Sequence, residues 1–424
     1  MWVSVLRSKI AEQILFTMLS RSGIVLLGGV MTILVSRALQ PDGRGLYALA
    51  TTVTLLGVQF GRLGMDAANA FFAAKHPSWV PRLIANGLIL SAGGGGLLIT
   101  GGILIHRLWY DLLPLPDWLL LLALCGIIPG IVYQLHQQLL VGLENIQTAN
   151  RIEFVEKALG VLLFLALFLA QSKRVEFYVA VILATMIFIA LWSMRALLRR
   201  NPAPIHHSKK LFKVTLLYGF RAYLCLLFYT LLFKGNLWLV QYFLGSSQTG
   251  YYSIALSIVD LLLMIICWVI GMVLFPKLVK THNDRLRWKT SLQSAFGAGI
   301  IMLVTCIFLS VLAEPVIRIL FGQAFLPSVP VLILSMPGMI ALAINTMLVY
   351  YSSSLGVPTY AIVLPAIAAV LNLVLAWELI PLFGLEGAVW ASNITYGMML
   401  LGNLFFCRKP IAQRAAPESE VVLE

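Results

Sequence analysis

The sequence predicts an all-α polytopic membrane protein, about twelve transmembrane helices in two six-helix lobes around a central cavity. Three observations predict it. Of 424 residues, 60% are hydrophobic and 11% charged, too little polar surface for a chain of this length to face water. Apolar runs of roughly twenty residues, the length a helix needs to cross a bilayer, recur along the whole chain between short polar or proline-containing turns. The second half also repeats features of the first. The period-two alternation of a closed barrel is absent from these runs.

The predicted spans are 13 to 36, 46 to 73, 83 to 105, 117 to 140, 152 to 171, 176 to 197, 214 to 243, 250 to 275, 291 to 313, 327 to 350, 359 to 382 and 386 to 407. Span 1 follows Arg7 and Lys9 as a signal sequence would, but it lacks a small-residue cleavage pattern and runs too long, so it counts as a helix. Twenty Lys and Arg fall before span 1, in the turns after the even spans or at the span ends beside them, or in the tail, and six, among them Arg37 and Arg44, fall in the opposite turns. Positive charge collects on the cytoplasmic side, which places both termini there and accounts for the net charge of +13 without nucleic acid. The five cysteines stand singly, without metal-ligand spacing, and suit packing positions.

The longest turn, "RRNPAPIHHSKK", is a basic linker between lobes 1–205 and 206–424. A shift of 208 brings "PGIVYQLHQQLLV" at Pro129 over "PGMIALAINTMLV" at Pro337, and a shift of 205 brings "GLYALA" at Gly45 over "GYYSIA" at Gly250. A duplicated unit with an even number of spans inserts both copies the same way up, about an axis along the membrane normal. Rocking of such lobes opens a cavity to alternate sides, so transport leads before any family is considered.

Away from the span ends four basic residues remain, Arg21, Arg62, Arg221 and Lys234, with the acids Asp66 and Asp260. Intramembrane charges cost several kcal/mol each unless they meet a partner or water. On span 2, Thr52, Gln59, Arg62, Asp66 and Asn69 fall on one helical stripe. On span 7, Tyr223, Thr230, Lys234 and Gln241 do the same, while Arg221 points elsewhere, near enough to the end to snorkel. Arg62 and Asp66 form either an i,i+4 ion pair or part of a site. The tally leaves a surplus of two positive charges, which an anion would complete; arginine and lysine both suit a diphosphate.

Asp260 is either a coupling carboxylate or a partner for a cation such as Lys234. Glu378 and Glu386 are interfacial. "SAGGGGLLITGG" in span 3 is a small-residue packing face and lacks the residues of a phosphate loop. Pro129 and Pro337 bend spans 4 and 10 and are candidate hinges. Gln134, Gln137 and Gln138 of span 4 are candidate cavity residues, whereas His136 is more simply a hydrogen-bonded structural histidine. No catalytic residue, metal site or cofactor emerges.

"SRALQPDGRGLYALATTVTLLGVQFGRLGMDAANAFFAAK" from Ser36, "YGFRAYLCLLFYTLLFKGNLWLVQYFLGSSQTGYYSIA" and "LIPLFGLEGAVWASNITYG" resemble the first, seventh and last helix pairs of the polysaccharide transporter family, which includes Wzx-type O-antigen and exopolysaccharide flippases. The resemblance spans nearly the whole chain. It implies the multidrug/oligosaccharidyl-lipid/polysaccharide exporter superfamily of MATE proteins and lipid II flippases, and a place in the bacterial cytoplasmic membrane. The implied substrate is an oligosaccharide on undecaprenyl diphosphate, moved to the outer leaflet. Membrane lipid, a polysaccharide polymerase and chain-length machinery are the implied partners. Where many relatives carry Arg and then Asp in helix 7, this chain has Lys234 and Asn236, which removes that carboxylate from any mechanism.

The expected site is therefore Arg21, Arg62 and Lys234 around a diphosphate, with Arg221, Gln59, Asn69 and Tyr223 nearby and Asp66 and Asp260 as coupling or ion-pair groups. A MATE-like exporter of cations would want a negative cavity. A polymerase or ligase, the enzymatic alternative, would carry a large outer loop, and these outer loops are short.

Overall fold

In hydrocarbon every backbone N–H and C=O must be satisfied within the protein, which leaves helices as the economical answer to these apolar runs. The computed structural model describes residues 2–110, 113–200, 203–281, 283–355 and 358–408, with side chains from residue 20 onward except those of 221, 222, 276 and 408. Its helices are α1 (Trp2–Gly61), α2 (Met65–Lys75), α3 (Val80–Leu108), α4 (Asp117–Cys125), α5 (Ile127–Gly142), α6 (Ile146–Leu169), α7 (Val175–Arg200), α8 (Lys209–Leu244), α9 (Ser246–Lys280), α10 (Asp284–Leu320), α11 (Ser328–Leu334), α12 (Met336–Ser354), α13 (Tyr360–Phe383) and α14 (Leu385–Arg408). No strand occurs among the described residues.

Among the described residues eight stretches are long and apolar enough to cross a membrane, nine with the bent pair α11 and α12. The expected spans map onto the helices in order. A straight α1 of 60 residues would extend about 90 Å, three times the hydrocarbon thickness, so it must hold two spans. They part at Gln40, whose φ of 57° and ψ of −179° interrupt the helix just before Pro41. Spans 4 and 10 are each broken, as α4 with α5 and as α11 with α12. Spans 5 and 12 are α6 and α14, which carry polar residues such as Glu156 and Asn403 inside.

Both breaks lie just ahead of the prolines that the sequence singled out. Pro129 is in the first turn of α5, and Pro337 in that of α12, where the bend from α11 is 44°. A break frees carbonyls, and side chains from other helices meet them: Thr54 Oγ1 donates to the Ala123 carbonyl at 2.7 Å, and Asn393 Nδ2 to the Leu334 carbonyl at 2.8 Å.

By packing, the chain divides into two compact units, one of residues up to Ser257 with Glu314–Val329, the other of Ile258–Ala313 with the chain from Pro330 on. Compactness and repetition are different criteria, and the lobe boundary at 205/206 remains a proposal of the repeat. In the first unit α5 packs against α1, α3 and α7, α1 against α6, and α2 against α8. Leu49, Met65, Ile127, Ile131, Phe164 and Tyr178 are fully buried in its core. In the second, α14 packs on α12 and α13, with Asn403 Nδ2 bonded to Asn345 Oδ1 at 2.8 Å. Trp118, Val273, Val311 and Leu382 are each more than 70% exposed, an apolar exterior that only lipid suits.

Inside the first unit the repeat is visible as geometry. The shift of 205 carries Gln40 onto Gly245, and Gly245 has the same unusual backbone, φ 81° and ψ −174°, a region open to glycine and strained for other residues. It also carries Pro41 onto Ser246 and Gly45 onto Gly250, and these four meet reciprocally: a Cβ on Gly45 would strike the Ser246 carbonyl, and one on Gly250 the Pro41 carbonyl. Ser247 Oγ donates to Asp42 Oδ1, and these too are copies of one position. The helices after the two corners therefore cross about a local two-fold, backbone to backbone.

Candidate substrate cavity and the charges around it

Helix α5 reaches the interior with one face apolar and the other rich in amides. Spacing of three and four places Gln134, Gln137 and Gln138 toward α1 and α6, and with Tyr133 and Thr51 they line a cavity of about 410 Å3. Four charges complete the wall: Arg21 of α1, and Glu153, Glu156 and Lys157 of α6. Arg21 Nη1 donates to Glu153 Oε2 at 2.8 Å and to Oε1 at 3.1 Å. Lys157 Nζ lies 3.2 Å from Glu156 Oε1. Gln137 Nε2 donates to the Ala149 carbonyl at 3.1 Å, while its Oε1 is buried without a partner. The cavity thus offers amide groups, a phenol and two charge pairs that sum to zero.

His136, in the middle of this sequence, points the other way. It is 2% exposed, and its Nδ1 is 3.0 Å from Ser193 Oγ of α7, a bond that fixes α5 against α7.

The polar residues of span 2 stay off lipid, yet not on one continuous helix. The chain breaks between α1 and α2 with Leu63 and Gly64 at positive φ, and Arg62 sits in the break. Its Nη1 donates to Asp66 Oδ2 at 2.8 Å, and its Nη2 to Gln59 Oε1. Asn69 is fully buried, and both atoms of its amide are without a hydrogen-bond partner. Tyr223 of α8 packs at this break beside Gly64. Arg62, Asp66, Asn69 and Tyr223 lie apart from the residues lining the 410 Å3 cavity.

On α8, Lys234 lines a second, smaller pocket with Arg44 of α1, and Gln241 Nε2 donates to Ser246 Oγ at 3.2 Å. The Arg221 side chain lies outside the described residues. Asp260 is exposed on α9, within the second unit. Among the described residues no group of three or more His, Cys, Asp or Glu is placed to hold a metal ion.

Two parts of the sequence reading need correction. The tally of intramembrane charge leaves out Glu153 and Glu156 at the start of span 5; in the structure α6 begins at Ile146 and carries both acids into the packed unit, where Glu153 meets Arg21. Arg44, assigned to the turn between spans 1 and 2, is 6% exposed. The turn there is the single residue Gln40, so the helix resumes at once and takes Arg44 inside. The i,i+3 spacing of Glu153 and Glu156, facing amides at i,i+3 on span 4, was the available clue to the acids.

A family model described as "Polysaccharide biosynthesis protein" matches residues 10–282. No curated protein sequence matches significantly. Among solved structures, the lipid II flippase MurJ in an inward closed conformation is similar with a TM-score of 0.79, 14% identity, and coverage of 94% of this chain and 88% of that one. An inward-facing multidrug resistance MATE family transporter gives 0.72 at 15% identity, covering 91% and 94%. A MOP superfamily transporter from Pyrococcus furiosus, with a binding pocket described as of reverse polarity, gives 0.66 at 14% identity, covering 93% of each chain. At such identities the likeness is one of fold, and it is that of the MATE and MurJ transporters.

Proposed function

The chain belongs to the polysaccharide biosynthesis protein family, and from that premise we propose that it is a flippase. It carries undecaprenyl-diphosphate-linked oligosaccharide repeat units of O-antigen or exopolysaccharide from the cytoplasmic to the outer leaflet of the bacterial cytoplasmic membrane, with both termini cytoplasmic. The observation that carries this reading is the chemistry of the 410 Å3 cavity. Amides, a phenol and paired carboxylates and cations are the groups that replace water around hydroxyls, since they offer donors and acceptors together. A sugar cannot cross hydrocarbon unaided because each hydroxyl stripped of water without a new partner costs at least about 1 kcal/mol. A wall that supplies those partners lowers the barrier by solvation, and no bond is made or broken.

Charge neutrality bears on the diphosphate. Arg21 and Arg62 each hold a carboxylate, so a phosphate reaches either arginine by displacing Glu153 or Asp66. An exchange of this kind lets the site hold the headgroup and release it again, because the carboxylate is ready to return. Lys234 contributes its charge from α8, and Gln59, Asn69 and Tyr223 surround the Arg62 break. Lobes 1–205 and 206–424 rock by alternating access, bending where α4 meets α5 and α11 meets α12 beside Pro129 and Pro337. The prenyl chain stays in lipid, and a polymerase with its chain-length machinery receives the product.

Glu153 and Glu156 favour one second reading, a MATE-like exporter of cationic small molecules, for which carboxylates in a cavity are the natural ligands. Complementation of strains lacking defined flippases, with lipid-linked sugar measured in each leaflet, separates the two. Restored outward movement in one strain, lost in Arg62→Ala at equal membrane abundance, is the expected result. Failure in every strain, together with acquired resistance to cationic drugs, would transfer the protein to the second reading.

A further inference from the structure

Arg44 is the cation whose surroundings leave a question open. It lies in the first turn after the Gln40 corner and is buried. One Nη2 donates to Ser257 Oγ at 3.2 Å, the guanidinium rests 5.3 Å from the Tyr47 ring centroid, and Nε has no hydrogen-bond partner. Among the described residues no carboxylate pairs with Arg44. A serine and an aromatic face do not neutralise a guanidinium that has left water.

Beside it is a cavity of about 100 Å3, lined by Arg44, Lys234, Thr51, Thr52, Ser253 and Ser257 among others. With about 30 Å3 per water, it holds roughly three waters, room for one tetrahedral oxyanion and too little for a sugar. No acid lines it. The four hydroxyls donate their protons back along their own helices, Thr51 to the Tyr47 carbonyl at 2.9 Å, Thr52 to Ala48 at 2.8 Å, Ser253 to Gly250 at 2.8 Å and Ser257 to Ser253 at 2.7 Å. What remains to face a guest is the guanidinium fork of Arg44, whose planar donors suit phosphate oxygens.

The pocket also sits where the repeats cross. The shift of 205 carries Ala48 onto Ser253, Thr51 onto Leu256 and Thr52 onto Ser257, and all six line it. Arg44 falls onto Thr249, so the charge belongs to one copy alone and is no relic of packing that both copies need.

We propose that this pocket binds a single phosphoryl group, held by Arg44. The site stands on its own geometry; that the phosphoryl is one end of a lipid diphosphate rests on the flippase reading. The test is thermal unfolding of the purified full chain in detergent, at constant ionic strength, with sodium phosphate, pyrophosphate or farnesyl diphosphate against chloride. Saturable stabilisation above chloride is expected, with apparent affinity at least tenfold weaker in Arg44→Gln. Ser257→Asp should raise the unfolding temperature without ligand, by giving Arg44 an internal partner, and remove the response. Stabilisation no greater than chloride's, an unchanged response in folded Arg44→Gln, or a full response in Ser257→Asp would overturn the assignment. Should Arg44→Gln fail to fold, Ser257→Asp decides by itself. Response to farnesyl diphosphate alone identifies a lipid headgroup as the source, and equal response to inorganic phosphate identifies the free ion. An intact response in a protein that complements no flippase strain would sink the flippase reading and leave the site standing.

Discussion

Two cations on α1, one part-exposed and one buried, live in opposite circumstances. Arg21 borders a roomy cavity and is tied through two hydrogen bonds to Glu153; Arg44 borders a tight one and is tied to a serine. Either site would suffer if charge were left uncompensated in a medium of low polarity, so the contrast shows two ways of tolerating it. In the large cavity the protein supplies its own counter-charge and keeps a polar, neutral wall. In the small one no carboxylate among the described residues pairs with Arg44, and on our proposal the counter-charge comes from a guest.

The largest effect should come from turning the first circumstance into the second. Glu153→Gln leaves Arg21 without its carboxylate, and outward transfer of lipid-linked sugar should fall more than tenfold at equal abundance. Because both side chains are partly open to the cavity, stability should drop by only about 1–2 kcal/mol, read as a lower unfolding temperature. The exchange Arg21→Glu with Glu153→Arg should recover that stability and not the transfer. Full recovery of transfer would make the pair structural.

Gly45→Val attacks the small pocket through its frame. The new side chain runs into the Ser246 carbonyl, and overpacking of this kind costs about 1–3 kcal/mol. The phosphate response should weaken several-fold as Arg44 and Ser257 are pushed apart, while Glu153 and Arg21 are untouched. An unaltered phosphate response would show that the crossing does not shape the pocket. Gln134→Leu is milder. It removes one amide from the large cavity, and transfer should fall two- to fivefold with the phosphate response unchanged. Smallest of all is Ser247→Ala, which deletes the exposed bond to Asp42 and should shift unfolding by less than about 0.5 kcal/mol in either assay.

How much of this was legible follows from how local each cause is. A bilayer demands long apolar runs, so the spans, the amide face of span 4 and the helix breaks near Pro129 and Pro337 are written in consecutive residues. The corner at Gln40 is not, because nothing local distinguishes a glutamine about to take a glycine conformation; the copy at Gly245 is the better clue, readable only through the repeat. Ion-pair partners are the least legible. Arg21 and Glu153 are 132 positions apart, and only the packing of α6 on α1 brings them together. Arg62 and Asp66, four apart, needed no such knowledge, although the helix assumed to carry them is broken between Gly61 and Met65.

The reciprocal contact of Gly45 with Ser246 and of Gly250 with Pro41 has the form of a homodimer interface preserved within one polypeptide. It is the contact that two copies of the repeated unit would make about a two-fold axis, were the unit duplicated within one chain. Within one chain the two sides are free to differ, and a basic residue stands at position 44 with no twin opposite at Thr249 to repel it.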